Sequence, residues 1–346
     1  MRIAAFYLVG LFLIPHLSSA HHSSAGVYNA DEIVEIEGVV TSVIWRNPHT
    51  FISIAVADGA GTSVEWRIET GAITTLRTRG LDREFIEVGD KVQVAGESST
   101  RNRPEMFARN LLLQDGREVL LTSFSKPRWT IGRPGNLLEA EFDERVAEEA
   151  RRSAEGIFRA WSTVIGDPDS FPMIIKDGYP LTEDAAAEKA KWNPRADPLL
   201  NCEPKGMPQI MSTPFPIEFI RAGDNIVLRL EEDDSQRLIH MPSESGSEAS
   251  GYSRLGDSTG RWDDSVLVVE TRRISAPYFF SDGTPQTRNI ELVERFEPSD
   301  DWQRLDYVMT VTDPEVFTES FELRRYWIWR PELRVETYNC EPNDLG

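Results

Sequence analysis

Cysteine is almost missing from this chain: Cys202 and Cys340 are the only two in 346 residues. That excludes a multiply bridged small scaffold and a cysteine-rich zinc site. Histidine is nearly as scarce, with His16, His21, His22, His49 and His240 making up the full set. Basic charge is in deficit, 37 Lys and Arg against 57 Asp and Glu, for a formal net charge of −20. Such a chain is repelled by nucleic acid and by anionic membrane surfaces. There is no phosphate loop, no GxSxG elbow, no HExxH pair and no dinucleotide glycine fingerprint.

Long hydrophobic runs are also lacking. The longest, Ile3 to Leu13, is broken by Gly10 and stopped by Pro15, well short of the roughly 20 residues of a membrane-spanning helix. It follows the basic Met1-Arg2 start and precedes Ser18-Ser19-Ala20, small residues at the positions a signal peptidase reads. The expectation is a cleaved secretory signal over 1–20, a mature chain beginning at His21, no membrane span after its removal, and a periplasmic or secreted location. In an oxidising compartment two cysteines point to one disulfide, Cys202–Cys340.

What is present is β-rich. Over 21–118, "EIVEIEGVVTSVIW", "TFISIAVAD" and "TSVEWRIE" are β-branched runs, followed by "GAITTLRTRG" with room for one or two helical turns. "IEVGDKVQVAGE" and "MFARNLLLQDG" then supply two more strands. Three strands, a short helix and two strands is the order of an OB-like small barrel. Residues 119–205 read as a helical and irregular linker: Leu138, Phe142, Val146, Ala150, Ile157, Trp161 and Val164 keep a helical step over 136–164, and a short helix follows Thr182. From 206 to 346 the helical period vanishes. Candidate strands at 215–221, 225–231, 236–241, 252–256, 264–273, 287–297, 302–312, 317–329 and 333–340 predict an antiparallel meander barrel (lipocalin-like), with a β-sandwich as the alternative. In a closed meander the first and last strands are neighbours, so the bridge is expected to pin the seam. The acidic residues, "EEDD" at 231–234 among them, read as a solvated surface.

Three places can carry chemistry. If cleavage follows Ala20, the amine and imidazole of His21 form a chelate that His22 and His49 can complete, a way to hold copper. His49 itself lies in "WRNPHTF", where Asn47-Pro48 signals a turn. The C-terminal barrel offers a ligand site lined by Arg324, Tyr326, Trp327 and Trp329, with Arg261 and Trp262 near a mouth. There, alternation sends Arg325, Trp327 and Trp329 to one face and Arg324, Tyr326 and Ile328 to the other. In the same domain His240, Asp257 and Asp263 are the candidate acid/base residues of an enzyme.

"AHHS", "WRNPHTF", "VEWRIETG" and "VGDKVQVAGE" resemble a family of exported bacterial proteins of unknown function with an OB-like N-terminal domain. "CEPKGMPQIMSTPFPIEFI", "GRWDDSVLVVET" and "VERF" are similar to the β-rich extension of its longer members, although "RWDDS" stands where "RWEGD" is expected. The resemblance covers about 21–116 and 200–346 and implies export and two β domains, without assigning a catalytic residue. The reading that follows is an exported module that binds a small apolar molecule or another exported protein. The alternatives are a lyase, isomerase or hydrolase working in the C-terminal barrel, and a copper-binding protein.

Overall fold

The computed structural model describes residues 27–59, 61–122, 125–132, 142–164, 166–175, 178–193, 197–242 and 251–341. Its first half comprises β1 (Tyr28–Ile44), β2 (Phe51–Ala57), β3 (Ser63–Glu69), α1 (Ile73–Arg77), β4 (Lys91–Ser99), β5 (Glu105–Leu113) and β6 (Glu118–Leu120). The long β1 pairs along one part with β2 and along another with β4, with a register shift between Val40 and Ser42. β2 pairs with β3 and β4 with β5, and a parallel β3–β5 pairing completes the circuit. This is the small barrel the strand order predicts, and β6 extends it on the edge of β5. Ile52, Ile54, Ile68, Val94, Met106 and Leu111 fill it. Gly96 sits at the β4–β5 irregularity, where a Cβ would lie 2.4 Å from the Phe107 carbonyl oxygen, so only glycine allows the strands this close.

The second half contains α2 (Glu144–Ser153), β7 (Ala160–Ser162), α3 (Glu183–Lys189), β8 (Ile217–Ala222), β9 (Asn225–Leu230), β10 (Ser235–His240), β11 (Asp257–Asp263), β12 (Val266–Arg272), β13 (Glu291–Pro298), β14 (Arg304–Thr312) and β15 (Phe321–Trp329). β7 to β15 close into a nine-stranded barrel. Period-two alternation sends Leu292, Glu294 and Phe296 of β13, Leu305, Tyr307 and Met309 of β14, and Leu323, Arg325 and Trp327 of β15 inward. Arg237 meets Glu294 there through both carboxylate oxygens, while Ser258, Thr271 and Tyr307 supply further hydrogen bonds. Side chains thus occupy the interior, with Trp327 packed against Phe296 and Tyr307.

Several expectations need correction. The helix expected over 136–164 is confined, among the described residues, to Glu144–Ser153. Gly156 then turns with φ +55°, and Trp161 and Ser162 enter the barrel as a strand between β15 and β8. β8 and β15 are therefore not neighbours, and the disulfide does not pin a seam. The barrel is not a pure meander either, because β10 and β11 run parallel. Residues 252–256 and 333–340 form no strand, whereas polar "DSTGRWD" forms β11. The helix after Thr182 forms where expected, its first turn capped by the Thr182 hydroxyl on Ala185 N. Among the described residues no helix is long and apolar enough to cross a membrane.

Candidate functional site

The two barrels meet at the loop "RNPH". Ala72, before α1, has no side chain able to cap that helix; Asn47 Oδ1 accepts from Ile73 N instead, at 3.1 Å. The same amide donates through Nδ2 to the Tyr338 carbonyl, and Asn47 pairs through its backbone with Cys340. Asn47 thus joins both barrels and is 1% exposed. Phe215 and Tyr338 pack edge to face at 5.1 Å against Ala72. Glu231, at the end of β9, reaches across to the Thr74 hydroxyl and to Arg77 Nη2 at 2.7 Å, and also accepts from Glu336 N at 3.0 Å.

A cavity of about 190 Å³ opens beside this junction, with His49 of the first barrel on one side and Lys205, Glu232 and Asp233 on the other. The Cys202–Cys340 disulfide forms part of the wall, tying the turn at Pro198–Asn201 to the C-terminal segment. Lys205 Nζ binds Glu232, and Lys205 N donates to Asp233 Oδ2 at 2.8 Å. The other Glu232 oxygen, Oε2, is buried without a hydrogen-bond partner among the described residues. Burial raises the Glu232 carboxyl above its ordinary range, with Lys205 pulling the other way. Burial likewise raises Asp233 and Asp197, which also line the cavity. Three desolvated carboxyl groups face one lysine, an arrangement that favours a cation or a shared proton.

His49 extends the site towards the first barrel. Its Nδ1 lies 2.5 Å from Glu69 Oε1, and the Tyr28 hydroxyl donates to Glu69 Oε2 at 2.8 Å. Burial pushes the Glu69 carboxyl up, but His49, Tyr28 and Arg67 together outweigh it and hold the group below its ordinary value. Phe107 packs against both rings, 5.9 Å from Tyr28 and 6.1 Å from His49. His21 and His22 lie outside the described residues. Among those described, no three His, Cys, Asp or Glu side chains converge to hold a metal ion.

The remaining candidates are dispersed. His240 and Asp257 come together, Nε2 to Oδ1 4.0 Å, where β10 and β11 run parallel, and Asp257 also pairs with Arg273 at 2.8 Å. Asp263 sits at the far end of β11, paired with Arg295 at 3.5 Å. Arg261 pairs with Glu270 on the outer face, and Trp262 is exposed. Arg324 is exposed beside Glu322; Tyr326, also outward, donates to Asp167 and lies under Arg304. Burial and then Asp167 push the Tyr326 hydroxyl up to about 12. Trp327 is core, and Trp329 lies at the barrel end beneath Arg159.

Sequence reasoning missed Asn47 as a clamp, and Lys205, Glu232 and Asp233 altogether. "EEDD" is not simply a solvated surface: Glu231 is 0% and Glu232 3% exposed. The available signal was position, since Lys205 follows three residues after a bridged cysteine and the acidic run directly ends a strand. No curated protein matches this chain. Residues 11–105, spanning most of the first barrel, match the model of a family of unknown function, DUF6152.

Proposed function

We propose that this is an exported binding module whose ligand occupies the cavity between the two barrels. The carrying observation is Glu232, a buried acid beside Lys205 whose Oε2 makes no full hydrogen bond among the described residues, with the Thr213 and Tyr338 hydroxyls nearby, on the wall of a cavity that both barrels build. The ligand class is a small, mainly apolar molecule with one cationic head: Phe171, Phe215 and Tyr338 offer apolar contact, and the desolvated carboxyls offer the counter-charge. The strongly acidic surface raises the local concentration of such cations. The disulfide supports an oxidising location.

Calorimetric titration with benzylamine and n-butylamine, against benzyl alcohol and n-butanol, tests the reading. The amines are expected to bind at least about tenfold more tightly than the alcohols, with the preference lost in Glu232→Gln. Equal binding of amine and alcohol by the wild-type protein overturns it.

A second reading is copper binding at the edge of the first barrel. Tyr28 is favourable evidence, because its bond to Glu69 brings the start of β1 to the carboxylate that holds His49. Five residues from His22 to Val27 reach at most about 17 Å, the span that a site shared by His21, His22 and His49 would have to bridge. Copper(II) titration of the chain beginning at His21 is expected to weaken in His49→Ala; equal affinities remove His49 from the site.

A further inference from the structure

A second concave site lies beside β7 and shares no lining residue with the inter-barrel cavity. Its volume is about 400 Å³, and α2, β7 and the segment after β15 wall it. At its inner end Arg159 stacks on Trp329, the guanidinium carbon 4.2 Å from the ring centre, with Trp302 and Trp161 at 5.8 and 5.7 Å. Arg159 Nη1 donates to the Trp302 carbonyl at 3.0 Å, but Nε is buried without an acceptor. The other two arginines of the groove are neutralised, Arg229 by Glu218 at 3.0 Å and Arg334 by Glu149 at 2.6 Å. Arg159 has no carboxylate partner among the described residues. Burial alone lowers its pKa, with no acid opposing that shift.

A half-buried guanidinium held among tryptophans without a counter-ion carries part of the cost of desolvation, and an anion entering the groove relieves it. Aromatic neighbours orient the charged plane and leave its remaining donors for a planar acceptor. Apart from Ser153, the rest of the wall is apolar, with Phe158, Pro331, Leu333 and Val335. We propose that this groove binds a small carboxylate, its acid group on Arg159 and its aromatic or alkyl body along Phe158 and Trp329. The proposal is independent of the inter-barrel cavity: the two sites share no residue, and their ligands are opposite in charge.

The test is calorimetric titration of the full protein with 4-phenylbutyrate and octanoate, each beside its uncharged primary amide. The acids are expected to bind at least about tenfold more tightly than the amides. Arg159→Gln removes that preference, Arg159→Lys retains part of it, and Glu232→Gln leaves it unchanged. Equal binding of acid and amide, no binding of either acid at millimolar concentration, or a preference that survives in folded Arg159→Gln overturns the proposal. Should Arg159→Gln fail to fold, photolabelling of the wild-type protein with 4-benzoylbenzoate decides. Label mapped to 149–159 and 329–335 supports the groove; label confined to other segments overturns it.

Discussion

Glu231 carries the claim that the two barrels act as a unit, and replacing it by alanine is the sharpest perturbation of that claim. The carboxylate is wholly buried, accepts from Arg77 and Thr74 of the first barrel, and accepts from Glu336 N of the second. Stripping one partner from a fully buried ion pair costs roughly 3–5 kcal/mol. Arg77 is 29% exposed in its side chain, so water partly rehydrates it and the lower end applies, about 3 kcal/mol. The assay is urea unfolding followed by circular dichroism and tryptophan fluorescence, run as a double-mutant cycle with Arg77→Ala. Glu231→Ala should lose about 3 kcal/mol, and adding Arg77→Ala should cost little more. Glu231→Gln separates charge from contact. Burial raises the Glu231 carboxyl despite Arg77, so its contribution to stability is complete below about pH 4 and is lost as pH rises through the raised value. The stability of wild type relative to Glu231→Gln should therefore fall as pH rises above the ordinary carboxylate range and through the raised value. A loss under about 1 kcal/mol in Glu231→Ala with no coupling to Arg77 would refute the reasoning.

Three further outcomes follow from the same contacts. Arg237→Met strands Glu294 inside the second barrel and should cost roughly 3–5 kcal/mol, whereas Arg237→Met with Glu294→Gln should recover part of the loss in urea unfolding. Replacing Cys202 and Cys340 together by serine opens a crosslink of 138-residue separation; it should cost roughly 2–5 kcal/mol and weaken amine binding, because the bridge walls the cavity. Because Glu232, Asp233 and Asp197 all have raised values, amine affinity measured by calorimetry should fall as pH drops through their titration and recover above it.

Much of the architecture was legible because it rests on period. Val92 and Val94 alternate into the first barrel, and Leu323, Arg325 and Trp327 into the second, as their spacing requires. Where period is absent, the reading failed. β7 is three residues long, too short to show alternation, so Trp161 looked like the next step of a helix. β11 escaped notice because its inward residues are Ser258, which binds Arg237, and Gly260, where a Cβ would meet Ile239 at 2.7 Å. The candidate cavity was hidden for another reason. Its walls come from Pro48, His49, Ala72 and Thr75 of the first barrel and from scattered positions between Phe171 and Cys340, which only the docking of two barrels assembles. Glu232 looks like surface in the sequence, yet Lys205 and Tyr338, remote along the chain, come against it in the fold. Arg325 gives the same lesson inside the barrel: its guanidinium binds the Met211 and Thr213 carbonyls and the Thr163 hydroxyl, and burial pushes its pKa down to about 9.

The most direct test of the central claim is a crystal structure of the protein soaked with benzylamine. The amine nitrogen is expected within hydrogen-bond distance of Glu232 Oε2 and the ring against Phe215 and Tyr338. An inter-barrel cavity without the amine, in crystals that hold it elsewhere on the chain, would contradict it.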